Sequence, residues 1–144
     1  MIDTVKRLCR LLESSFVSAE QAAESLGAIT AVSGDNVSLT VKPSDPTVSE
    51  ALVVRSAESE EPAYVELVPS EGTAPTVAEL EASFGGYTRT PRVHSNSPHR
   101  IIFYPRSPFT SHTCAIIAEV SPGERGLEDG QTTRLTVRRD VRLD

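Results

Sequence analysis

The sequence predicts an α+β fold of two helix-plus-three-strand antiparallel units, a candidate internal duplication, behind an extra N-terminal amphipathic helix. Three observations lead there. The stretches "SAEQAAESLG" (18–27) and "TVAELEASFG" (76–85) match at a constant offset of 58 residues. After each come short segments rich in β-branched residues and bounded by Pro, Gly, Asp or Ser. Ahead of both lies a run whose apolar residues recur at helical spacing.

That first run is expected to be a helix capped by Asp3. Val5, Leu8, Cys9, Leu12 and Phe16 form one stripe, while Lys6, Arg7, Arg10 and Glu13 fall elsewhere. The stripe packs on a sheet. The second and third helices each begin at a hydroxyl residue, Ser18 or Thr76. Three places on stands Gln21 or Glu79, the spacing of a capping box. Each helix stops at a glycine, Gly27 or Gly85, suited to a left-handed turn.

Strands are expected in "NVSLTVKP", "EALVVRSAE" and "PAYVELVP", then in "HRIIFYP", "CAIIAEV" and "TRLTVRRDV". "SGDN" and "GLEDGQ" read as turns, and "ESEEP" (58–62) as a solvated hairpin tip. Alternation in "PAYVELVP" and "TRLTVRRD" predicts a sheet with one wet face, helices covering the other. Residues 1–144 make one domain, with lobes 1–69 and 76–144 joined by the linker 70–75.

The composition narrows function. No apolar run approaches the ~20 residues of a membrane span. The N-terminus is interrupted by charge, unlike a signal peptide, so a cytoplasmic protein is expected. Two cysteines, Cys9 and Cys114, are read as buried free thiols. Residues 1–84 hold 5 Lys/Arg against 14 Asp/Glu, and residues 85–144 hold 9 against 6. The chain is acidic overall, at −6, which disfavours nucleic acid as a partner. Its basic half suits an acidic protein surface, including the chain's own first half.

Chemistry-bearing residues cluster in "RVHSNSPHRIIFYPRSPFTSHTC" (92–114), with His94, His99, His112 and Cys114. No zinc-type spacing and no nucleophile motif surrounds them, so neither a metal nor any other cofactor is expected. "FGGYTRT" follows a helix instead of leading into one, which argues against a phosphate loop. The run from Gly85 to Pro98 reads as a long loop. It presents Tyr87, Arg89, Arg92 and His94, side-chain types enriched in binding hot spots. Arg100 and Arg106 lie nearby, and Arg134 and Arg138 stand on the exposed face of the last strand. Guanidinium groups recognise carboxylates through paired donors.

The expected function is a non-enzymatic bacterial protein-binding module of the immunity, inhibitor, secretion-chaperone or adaptor kind. Its expected binding residues are Tyr87, Arg89, Arg92, His94, Arg134 and Arg138. The alternatives are a small enzyme or metal-binding protein using the His/Cys cluster of residues 94–114, and a structural homodimer.

Overall fold

A computed structural model describes residues 1–14, 17–105 and 112–141, with backbone alone at 112, 113 and 141. Phe16, Arg106 and the side chain of His112 lie outside the described residues. The helices are α1 (Ile2–Leu12), α2 (Ala19–Leu26) and α3 (Val77–Phe84). Strands β1 (Gly27–Val32), β2 (Ser38–Pro43), β3 (Val48–Arg55) and β4 (Pro62–Pro69) follow α2. Strands β5 (Tyr87–Arg89), β6 (His99–Phe103), β7 (His112–Gly123) and β8 (Gly126–Val141) follow α3. All eight join one antiparallel sheet in the order β1-β2-β3-β4-β8-β7-β6-β5. Each half is therefore a meander that begins at an outer edge and ends at the central β4–β8 seam.

The three helices lie on one face. α2 spans β1 to β3, α1 packs on β7 and β8, and α3 packs on β8. The core between them holds Leu39, Val41, Ala51, Val53, Val65, Leu67, Ile101, Phe103, Ile116, Leu135 and Val137 from the sheet. Helices contribute Val5, Leu8, Leu12, Ala22, Leu26, Val77 and Leu80. In β4 the alternation works as the sequence predicts: Val65 and Leu67 are buried, while Tyr64, Glu66 and Val68 turn to the other face. Of the expected tip at 58–62, residues 58–61 are exposed in the β3–β4 connection, while Pro62 is buried and begins β4.

Several expectations are corrected. Among the described residues each unit has four strands, not three, and the sheet has eight. The unpredicted β1 and β5 sit at the two edges, where strands bury little and carry a weak apolar signal. "GLEDGQ" is not a turn but the start of β8, in a long hairpin that reverses at Glu124 and Arg125. The long loop shrinks because 87–89 pairs with 101–103 as β5. Asp3 does not cap α1, whose N-cap is Met1 and makes no side-chain cap bond. Ser18 and Gln21 form the full capping box, whereas Thr76 accepts from the Glu79 N–H without a reciprocal bond.

The capping glycines are not left-handed α turns either. Gly27 (φ 158°, ψ −150°) and Gly85 (φ 89°, ψ −165°) both have extended ψ. Gly27 has a steric reason for its identity. A Cβ there would overlap the Lys42 carbonyl oxygen and come within 3.0 Å of the Ser44 nitrogen. This close approach lets the chain pass from α2 straight into β1 with no connecting loop.

The free-thiol reading is also overturned. Cys9 of α1 and Cys114 of β7 form a disulfide, their Cα atoms 5.4 Å apart. The helical stripe and the period-2 strand each aim one cysteine into the same core.

The other end of α1 is held by Asp45, in the β2–β3 turn. Its Oδ2 accepts from the Thr4 hydroxyl at 2.5 Å and lies 3.2 Å from the Met1 amino nitrogen. Its Oδ1 accepts from the Thr47 N–H at 2.9 Å and hydroxyl at 2.7 Å. A carboxylate at the start of a helix also meets the positive end of its dipole. Burial pushes the Asp45 carboxyl up, but bonds from Thr4, Thr47 and Met1 outweigh it and hold the pKa well below the ordinary range.

Candidate interaction surfaces

The predicted binding residues separate into two groups. Tyr87 and Arg89 lie on edge strand β5, opposite Phe103 and Ile101, and so on the helix-covered side of the sheet. The Tyr87 ring meets the Phe103 ring edge-on with centroids 5.6 Å apart, so this tyrosine anchors the strand to the core. Arg134 and Arg138 lie on central strand β8 and face the opposite side. Strands β7 and β6 stand between the groups. They do not form one continuous surface.

The first group borders a shallow depression of about 450 Å³. Arg89, Thr90, Arg92, His99 and Arg100 line it, with Pro122, Gly126 and Leu127 of the β7–β8 hairpin as its apolar wall. No carboxylate lines it. The Arg92 guanidinium donates to the Ser97 carbonyl at 3.0 Å and to the Ser95 carbonyl, which pins the loop without neutralising the charge. Arg100 is 3.2 Å from Glu119, its cross-strand partner. Arg89 has no hydrogen-bond or ion-pair partner among the described residues. His94 is exposed just outside, and its backbone N–H donates to the Ser97 hydroxyl at 3.1 Å.

The second group belongs to the face that carries no helix. Arg134 borders a groove of about 410 Å³ with Lys42, Glu50, Leu52, Glu66 and Val68. Arg138 pairs with Asp140 through two bonds of 2.8 and 3.1 Å. Those bonds hold its guanidinium even more firmly protonated than usual.

Among the described residues, His94, His99 and Cys114 of the alternative His/Cys cluster do not come together, and the His112 side chain lies outside them. Cys114 is fully buried and bonded to Cys9. His99 sits opposite Val120, six residues along β7 from Cys114, or roughly 20 Å at strand rise. His94 is on the loop beyond β5. Among the described residues, no group of three or more His, Cys, Asp or Glu side chains could hold a metal ion. Among the same residues, no helix is long and apolar enough to cross a membrane.

Two arginines with largely covered side chains escaped the sequence reading. Arg139 is on the core side of β8, only 6% exposed, with its Nη1 3.6 Å from Glu61. The alternation of Leu135, Val137 and Arg139 contains that signal. Arg55, 11% exposed, pairs with Glu20 and so ties α2 to β3. No local pattern in the sequence marks that contact.

The chain matches no protein-family model, no curated protein and no solved structure.

Proposed function

We propose that this protein is a non-enzymatic binding module of the inhibitor, chaperone or adaptor kind, and that its partner is a protein presenting an acidic segment. The observation that carries the reading is the depression beside β5, lined by Arg89 and Arg92, whose guanidinium groups meet no carboxylate among the described residues, and by Arg100, which is paired with Glu119. Like charges gathered on a surface repel, and a ligand carboxylate relieves that repulsion. Arg92 is already oriented by loop carbonyls, so less conformational freedom is lost on binding. Edge strand β5 also offers one side of its backbone to an extended segment. Within this reading Arg89 and Arg92 make the ion pairs, His94 and Arg100 flank them, and Tyr87 supports the strand.

The two four-strand meanders support descent from one repeated unit, since element order and outer-to-centre direction are the same in both. The different seats of α2 and α3 argue for divergence after such an event. As for compartment, the Cys9–Cys114 pair favours an oxidising environment, because free thiols are what the cytoplasm maintains.

The test is fluorescence anisotropy with a labelled ten-residue glutamate peptide, comparing the wild type with the Arg89→Ala/Arg92→Ala variant. Binding should fall at least tenfold in the variant and weaken steeply with added salt. Equal binding by both proteins, or none by the wild type at low salt, would refute the reading.

A further inference from the structure

Strand β5 ends the sheet, so one side of its backbone is unpaired among the described residues. The register fixes which groups that side carries. The Thr90 N–H donates to the Arg100 carbonyl at 3.0 Å, so Thr90 bonds inward to the β6 side. Hydrogen-bonding direction alternates along an antiparallel strand. Thr88, opposite Ile102, therefore also bonds inward, and the N–H and C=O groups of Tyr87 and Arg89 point out. Pro91, the next residue of that parity, has no N–H to continue the row. The other edge strand, β1, is interrupted by a bulge between Ile29 and Ala31 and carries no charged side chain.

The side chains beside the two outward residues differ in kind. Arg89 is exposed and borders the same depression as Arg92. Tyr87 is half-buried and packs against the core. Gly85 and Gly86 precede it, and a Cβ at either would meet nothing within 4 Å. The space beside the Tyr87 ring is therefore open. The edge thus offers a cationic place at Arg89 and Arg92 and an apolar place at Tyr87, both on the helix-covered side.

We propose that the outer edge of β5 takes up the acidic segment of a partner protein as one further antiparallel strand. This rests on the reading of the depression as a carboxylate site. Antiparallel addition continues the pattern of the whole sheet, and such pairing is slightly the more stable per residue. Alternate residues of the added strand then pair with Arg89 and Tyr87, and their side chains stand on the same side as those two. The residue opposite Arg89 is an acid. The residue two places after it lies on Tyr87 and is apolar. The residue two places before it passes Pro91 toward Arg92 and is an acid. From N to C the recognised pattern is acid, any residue, acid, any residue, apolar.

The test is fluorescence anisotropy of the intact protein with end-blocked labelled peptides at low salt. The forward peptide reads glutamate, serine, glutamate, serine, leucine, flanked by serines, and the control has the reverse order. The forward peptide should bind at least about fivefold more tightly, because only its order sets both acids and the leucine on their places. Methylating the backbone nitrogens of its second glutamate and its leucine removes the donors to the Arg89 and Tyr87 carbonyls, and should weaken binding at least about tenfold. Methylating the two serines between them, whose N–H groups point to solvent, should leave binding within about twofold. Equal binding in both orders, a loss on serine methylation as large as on the other pair, or binding of the ten-residue glutamate peptide alone would overturn the added strand and leave the carboxylate site standing. No binding of any of these peptides would remove both.

Discussion

Cys9, well inside α1, is bonded to Cys114, near the start of β7, although 105 residues of sequence separate them. The bond fastens the first helix to the second half of the sheet. Asp45 fastens the same helix to the first half through Thr4. α1 thus bridges both meanders on the covered side, while among the described residues only the β4–β8 ladder joins them within the sheet.

Protein denatured without reductant should show no free thiol, and two after reduction. Thiol titration measures this. A closed loop of about 100 residues restricts the unfolded chain enough to stabilise the fold by about 5 kcal/mol. Reduction should therefore lower Tm by roughly 10 °C, and Cys9→Ala/Cys114→Ala should do the same. Free thiols in the untreated protein would remove the bridge from the account.

Acid should loosen α1 by way of Asp45. Its folded pKa lies below the unfolded value of about 3.9, so its stabilising effect is complete above that pH and is lost as pH falls through the lower range. Replacing it with Asn should cost about 2 kcal/mol at pH 7, the scale of hydrogen bonds to a charged group. The variant should also lose part of the decline in stability below pH 4. Denaturant unfolding of both proteins at pH 7 and pH 3 measures the difference.

The two capping glycines should respond differently to alanine. At Gly27 the new methyl group strikes backbone, where little can yield. At Gly85 nothing lies within 4 Å, leaving only the strain of φ 89° in a region that favours glycine. Gly85→Ala should cost about 1–2 kcal/mol, and Gly27→Ala clearly more. Urea midpoints of the two variants give the order, and a reversed order would contradict the geometry described for the α2–β1 junction.

Much of this fold is legible in the sequence because burial repeats. The stripe Val5, Leu8, Cys9 and Leu12 is the buried side of α1, and Val65 and Leu67 follow strict alternation. The strands that went unread are those with little to bury: Ala28 and Thr30 are exposed on β1, and β5 is three residues long. The disulfide was hidden because each cysteine already suits its own apolar face. Only tertiary packing brings the two faces together. Tyr87, Arg89 and Arg92 were noticed by residue type. Their separation from Arg134 and Arg138 depends on the sheet order, which no local pattern encodes.

The claim that the depression beside β5 recognises acidic protein segments is tested most directly by amide chemical-shift mapping. ¹⁵N-labelled protein is titrated at low salt with the ten-residue glutamate peptide. The account predicts the largest shifts at Arg89, Thr90, Arg92, His99, Arg100 and Leu127, and their disappearance at high salt. Shifts confined to the helix-free face at Leu52, Glu66 and Ile117, or no shifts at all, would contradict it.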